Sequence, residues 1–81
     1  MKSAREQFAA SLRSHRERVG LSQEALANLC DLHRTEISLL ERSKRSPRLE
    51  TIVILAQGLK LAAPGDLLDG IAGEKDAEIE Q

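Results

Sequence analysis

The stretch that decides the fold is LSQEALANLCDLHRTEISLLER, residues 21–42. Ser22 is a good N-cap for a helix that runs to about Cys30, because a serine hydroxyl accepts from the unpaired amides of a first turn. Leu26, Ala27 and Cys30 then fall on one face of that helix. Asp31-Leu32 interrupts the pattern, and a second helix follows from about Arg34 to Arg42, with Ile37, Leu40 and Glu41 facing inward. Two short helices joined by so few residues cannot lie antiparallel. They must cross steeply, the arrangement of a helix-turn-helix.

The helical periodicity continues on both sides of this pair. Upstream, Phe8, Leu12, His15 and Val19 form the inward stripe of a first helix, and Gly20 ends it by supplying a position that tolerates positive φ. Downstream, SKRSPR (residues 43–48) reads as a loop punctuated by Pro47. Leu49, Ile52, Leu55, Ala56 and Leu59 give a fourth helix its core stripe, and Pro64 suits the first turn of a short fifth helix ending near Leu68. Strand signals are nearly absent, with one Phe, no Tyr or Trp and no sustained alternation. The expectation is one all-α domain of five short helices over residues 1–70, followed by an acidic tail over 71–81 that reads as flexible.

A chain of 81 residues buries only about 60% of the surface its unfolded form exposes, so its stability margin is thin. The single cysteine, Cys30, offers no disulfide and fits a reducing, cytoplasmic setting. Residues 1–20 are too charged for a signal peptide, and nothing approaches the roughly 20 apolar residues that cross a bilayer, so no membrane partner is expected. Net charge is −1 but unevenly spread: residues 1–60 carry +4 and residues 61–81 carry −5. The first part can therefore present a basic face that the tail hides from a whole-chain figure. Catalysis finds no support. His15 falls on an apolar stripe and His33 at a helix start, neither with a nucleophile or second ligand at useful spacing. Cys30 sits on a core face, where a buried thiol is ordinary. No metal, cofactor, small-molecule substrate or enzymatic activity is expected.

Residues 8–68 resemble the Xre/Cro-type phage-repressor family. The likeness is carried by Arg16, the GLSQ of Gly20–Gln23, Leu26-Ala27, Ile37-Ser38, Glu41-Arg42 and Pro47. The LHRT run, residues 32–35, also looks like the small controller proteins of restriction–modification systems. Three positions depart from the pattern: Asp31 stands where the family usually has Gly at the turn, Ser43 where it has Gly after Glu-Arg, and His15 where it has Leu. The resemblance implies a five-helix, lambda-repressor-like fold that binds double-stranded DNA. The first motif helix braces across the phosphates while the second enters the major groove.

On that reading Arg34 and Thr35, with Ser38 and Leu39 on the next turn, contact bases; an arginine donates two bonds to guanine O6 and N7. Leu39 either packs on thymine methyls or belongs to a satellite of the core. Glu36 either accepts from a cytosine amino group or serves the cap of a helix begun by His33, the cap being the expected role. Gln23, Arg42, Lys44, Arg45, Ser46, Arg48 and Thr51 are assigned to the sugar-phosphate backbone, giving affinity and register. Arg16 and Glu41 are implied as a partly buried ion pair tying the first helix to the recognition helix. Ile54 points nearly opposite the core stripe of the fourth helix and Val53 lies on its flank; with Leu67 and Ile71 they form the expected dimer interface. The expected function is a transcription regulator that reads a palindromic operator as a homodimer. The alternative is an antitoxin-like or adaptor module that keeps the fold and binds a protein.

Overall fold

The computed structural model describes residues 3–69. The tail over residues 71–81, and with it Ile71, lies outside the described residues. Four α-helices, α1 (Ala4–Arg18), α2 (Gln23–Cys30), α3 (Arg34–Glu41) and α4 (Leu49–Gly58), are followed by a 3-10 turn, Pro64–Leu68, in place of a fifth α-helix. The described residues contain no strand. No helix among them is long and apolar enough to cross a membrane.

The helix starts follow from capping chemistry. Ser3 and Glu6 make a reciprocal capping box at α1, the Ser3 hydroxyl accepting from the Glu6 amide at 3.1 Å and the Glu6 carboxylate accepting from the Ser3 amide at 2.9 Å. Ser22 accepts from the Ala25 amide at 3.0 Å and opens α2. The N-caps of α3 and α4, His33 and Arg48, make no side-chain cap bond.

All four α-helices stop in the same way. An amide just past the helix end reaches back five residues to a carbonyl of the last turn: Leu21 to Arg16, Leu32 to Ala27, Lys44 to Leu39 and Leu61 to Ala56, at 2.8–3.1 Å. This geometry requires a left-handed residue between. Gly20 fills it at the end of α1 with φ +76, but Asp31 (+57), Ser43 (+60) and Lys60 (+60) fill it elsewhere. The three-residue connection between α2 and α3 is therefore one left-handed residue, Asp31, then Leu32, which packs onto the core, and then His33, the N-cap of α3.

The core is one cluster in which Leu12, Leu26, Ile37, Leu40, Leu55 and Leu67 are fully buried, joined by Phe8, Ala27, Cys30, Ala56 and Leu59. α2 packs on α3 and α4, while α1 packs on α3 and the 3-10 turn, so α3 has its inner face held from both sides. Arg16 takes the place in the α1 stripe that Val19 was expected to hold. Arg16 is 8% exposed and Val19 51%, because α1 ends at Arg18 and the chain turns before Val19 can follow the stripe inward. A charge this far from water needs a partner. Arg16 donates from Nε to Glu41 Oε2 at 2.6 Å, from Nη2 to Glu41 Oε1 at 3.0 Å and from Nη1 to the Leu21 carbonyl at 2.8 Å. The hydrogen bonding to Glu41 holds the guanidinium pKa above its ordinary value against the opposing effect of burial.

Three further expectations for α4 and the dimer face are corrected. Leu49 is 75% exposed, since it is the first residue of α4 and the helix meets the core only from Ile52 onward. Leu67 is fully buried, held between α1 and α4 as part of the core, and is not available to a partner. Ile54 also does not point into open water. It shares a face with Gly58 one turn later, and α2 meets that face: Cys30 Sγ donates to the Ile54 carbonyl at 3.5 Å, and Ile54 packs against the core.

Candidate nucleic-acid interface

With Ile37 and Leu40 sealed into the core, the opposite face of α3 is the one left free. Arg34 and Thr35 are exposed on its first turn, and Ser38 and Leu39 are half-buried on the next, with Leu39 outside the core cluster. Arg42 follows on the same face and lies back along the helix, its Nε 3.4 Å from the Ser38 carbonyl. The loop after α3 then presents Lys44, Arg45, Ser46 and Arg48 exposed to solvent before α4 begins. Four of the cationic side chains assigned to DNA, Arg42, Lys44, Arg45 and Arg48, therefore sit within one turn-and-loop segment beside the open face of α3. The first-turn amides of α4, uncapped by any side chain, open toward the same segment.

A cleft of about 440 Å³ joins these elements. It is lined by Leu32 from the α2–α3 turn, Glu36 from α3, Arg45, Ser46 and Arg48 from the loop, and Thr51 from α4. In it the Arg45 guanidinium donates from Nη1 to the Glu36 carboxylate. Glu36 therefore does not cap α3, as the sequence suggested. Its backbone amide bonds the His33 carbonyl at 2.9 Å, but its carboxylate has turned to the cationic loop, where a charged donor is a stronger partner than a terminal amide.

Gln23 occupies the first turn of α2, half-buried, and donates from Nε2 to Glu41 Oε1 at 3.0 Å. The Glu41 carboxylate thus serves Arg16 and Gln23 at once, and the first motif helix, the second motif helix and α1 meet on one side chain. The other amide hydrogen of Gln23 is left to a further acceptor. Sequence reasoning found Arg16 and Glu41 but neither the Gln23 tie nor the Glu36–Arg45 pair. Among the described residues, no group of His, Cys, Asp or Glu side chains is arranged to hold a metal ion. Cys30 is a buried free thiol whose pKa is pushed up by burial, which leaves it a poor nucleophile.

Known proteins share both this sequence and this shape. Residues 7–69 match the model of a family described as a helix-turn-helix domain. Control protein C.SmaI of Serratia marcescens is 43% identical over 60 residues, covering 74% of this chain and 71% of that protein. Control protein C.BamHI of Bacillus amyloliquefaciens is 49% identical over 49 residues, 60% of this chain and 59% of its own length. The structure of the restriction-modification controller protein C.AhdI from Aeromonas hydrophila superposes with a TM-score of 0.75 at 38% identity, covering 78% of this chain and 94% of that one. The clp gene regulator ClgR from C. glutamicum gives a TM-score of 0.80 at 27% identity, with 91% and 95% covered.

Proposed function

The chain belongs to the helix-turn-helix domain family, and from that premise we propose that it reads a palindromic operator as a homodimer. It is a DNA-binding transcription regulator. In the proposed complex the open face of α3 enters the major groove. Arg34 and Thr35 lead, and Ser38 and Leu39 complete the readout. Arg42, Lys44, Ser46, Arg48 and Thr51 hold phosphate, with Gln23 doing the same from α2. Arg45 contributes from within the cleft. The observation that carries this reading is the juxtaposition of an unpacked α3 face with a cationic loop, on a chain whose net charge is −1. A local basic surface on an overall acidic protein is steered to a polyanion by its own field, not by its total charge.

The likeness to restriction–modification control proteins supports a regulator of that class. The test is gel retardation of the duplex upstream of the gene itself, followed by selection of bound sequences from random DNA. A retarded band that weakens steeply with salt, and a selected consensus with two-fold symmetry, are the expected results. A protein that retards no duplex but captures a defined protein partner would instead be an adaptor built on the same fold.

A further inference from the structure

We propose that Glu36 is a specificity-determining residue that works by holding or releasing Arg45. The inference rests on the DNA-binding reading above and deepens it. Glu36 is a charge of the wrong sign for this surface: a carboxylate at the third residue of the recognition helix, on the edge nearest the basic loop, repels phosphate wherever the protein lands on a duplex. The structure neutralises it from within, because the Arg45 guanidinium, nine residues on, closes onto the Glu36 carboxylate. While that pair holds, the loop acts with one cation fewer.

The two partners differ in freedom. The Glu36 side chain is 24% exposed on the cleft wall, whereas the Arg45 side chain is 52% exposed, more than twice as open to solvent. Arg45 therefore has two acceptors within its reach, Glu36 and a phosphate of the adjoining strand. Which one it takes depends on whether Glu36 finds another donor. In the major groove only cytosine N4 and adenine N6 offer an amino hydrogen; guanine O6 and thymine O4 offer an acceptor. Opposite an amino group Glu36 is satisfied by the base, and Arg45 is released to phosphate. Opposite an acceptor Glu36 keeps Arg45, and the protein forgoes a phosphate as well as a base. A single base step thereby governs two interactions, and the number of phosphates neutralised becomes sequence-dependent.

The test is the dissociation constant as a function of salt on a selected operator and on random duplex, for the wild type, Glu36→Gln, Arg45→Ala and the double variant. In the wild type, Arg45→Ala lowers the salt slope by about 0.9 on the operator and leaves it unchanged on random DNA. Glu36→Gln raises affinity and salt slope on random DNA, and the operator-to-random ratio falls by at least about fivefold. In the Glu36→Gln background, Arg45→Ala lowers the slope on both DNAs. An equal drop in slope on both DNAs in the wild type, or an unchanged ratio in Glu36→Gln, overturns the proposal while leaving DNA binding intact. A wild type that retards no duplex overturns the underlying reading, and this inference with it.

Discussion

At the scale of single residues, α2 and α4 approach closely at Gly58. A Cβ placed on Gly58 would lie 2.4 Å from Cys30 Sγ, well inside van der Waals distance, while Leu26 closes the other side at 3.5 Å. Gly58→Ala is therefore expected to destabilise by about 1–3 kcal/mol, the usual penalty for overpacking, although alanine is the better helix former. In a Cys30→Ala background the same substitution should be neutral or mildly stabilising. Chemical denaturation of the four proteins checks this, and equal destabilisation in both backgrounds would place the strain elsewhere. Arg34 is the residue whose replacement should separate specificity from affinity. Arg34→Ala is expected to cost about 1–3 kcal/mol on the selected operator and much less on random DNA, measured by competition binding. Equal costs on the two would make it a phosphate ligand. That Arg34, Thr35 and Ser38 lie away from the core side of α3 was legible in the sequence, because none of them has an apolar job to do. What was not legible spans the fold. The Gln23–Glu41 bond joins residues 18 apart and the Glu36–Arg45 pair residues nine apart, so helical spacing carries no trace of either.

At the scale of elements, how the helices end is where this chain departs from the simplest solution. Asp31, Ser43 and Lys60 all hold the left-handed conformation that α1 assigns to Gly20. A side chain there is strained, by about 1–2 kcal/mol for an ordinary residue and less for Asp, whose short polar group tolerates it. Lys60 has no such excuse. Lys60→Gly is expected to stabilise by about 0.5–1 kcal/mol, net of the extra freedom glycine brings to the unfolded chain, which raises Tm by roughly 3–6 °C in a domain this size. A lower Tm would show that the lysine stem packs usefully on α4. The helix starts were readable from Ser22 and Pro64, but the exact inward stripe was not. Periodicity placed Val19 and Leu49 inside, and both sit at helix ends where the chain has already left, or not yet reached, the core. The loop between α3 and α4 makes its own prediction. Replacing Lys44 and Arg48 together by Ala should weaken binding to every duplex alike and lower the salt slope by about 0.9 for each phosphate no longer neutralised. A loop that never touches the backbone would leave the slope as it was.

At the scale of the whole molecule, the question is how one small surface reaches operator affinity. A single α3 presents only a handful of candidate base-reading side chains, too few to single out a site, and two copies related by a two-fold axis would set their recognition helices about 34 Å apart on one face of a palindrome. The sequence placed the interface on Val53, Ile54, Leu67 and Ile71, but the folded chain uses Leu67 in its core and packs Ile54, half-buried, against that core. Besides Val19 at the end of α1 and Leu29 on α2, apolar surface remains along α4 and the 3-10 turn. Leu49 is 75% exposed, Val53 lies half-buried one turn further along the same face of α4, and Leu68, 41% exposed, stands on the 3-10 turn that packs beside that helix. None of the three belongs to the core cluster or to the residues packed against it, so all three are open to a second subunit. Removing them should leave the fold nearly untouched, since surface substitutions rarely move stability by more than about 0.5 kcal/mol. We therefore expect a Leu49→Gln, Val53→Glu double variant to keep its helical spectrum and sediment as a monomer at tens of micromolar, where the wild type sediments as a dimer. It should bind the full palindrome no more tightly than a half-site, which the wild type does not. A wild type that is monomeric at that concentration, or a variant that remains dimeric, would remove this face of α4 from the interface.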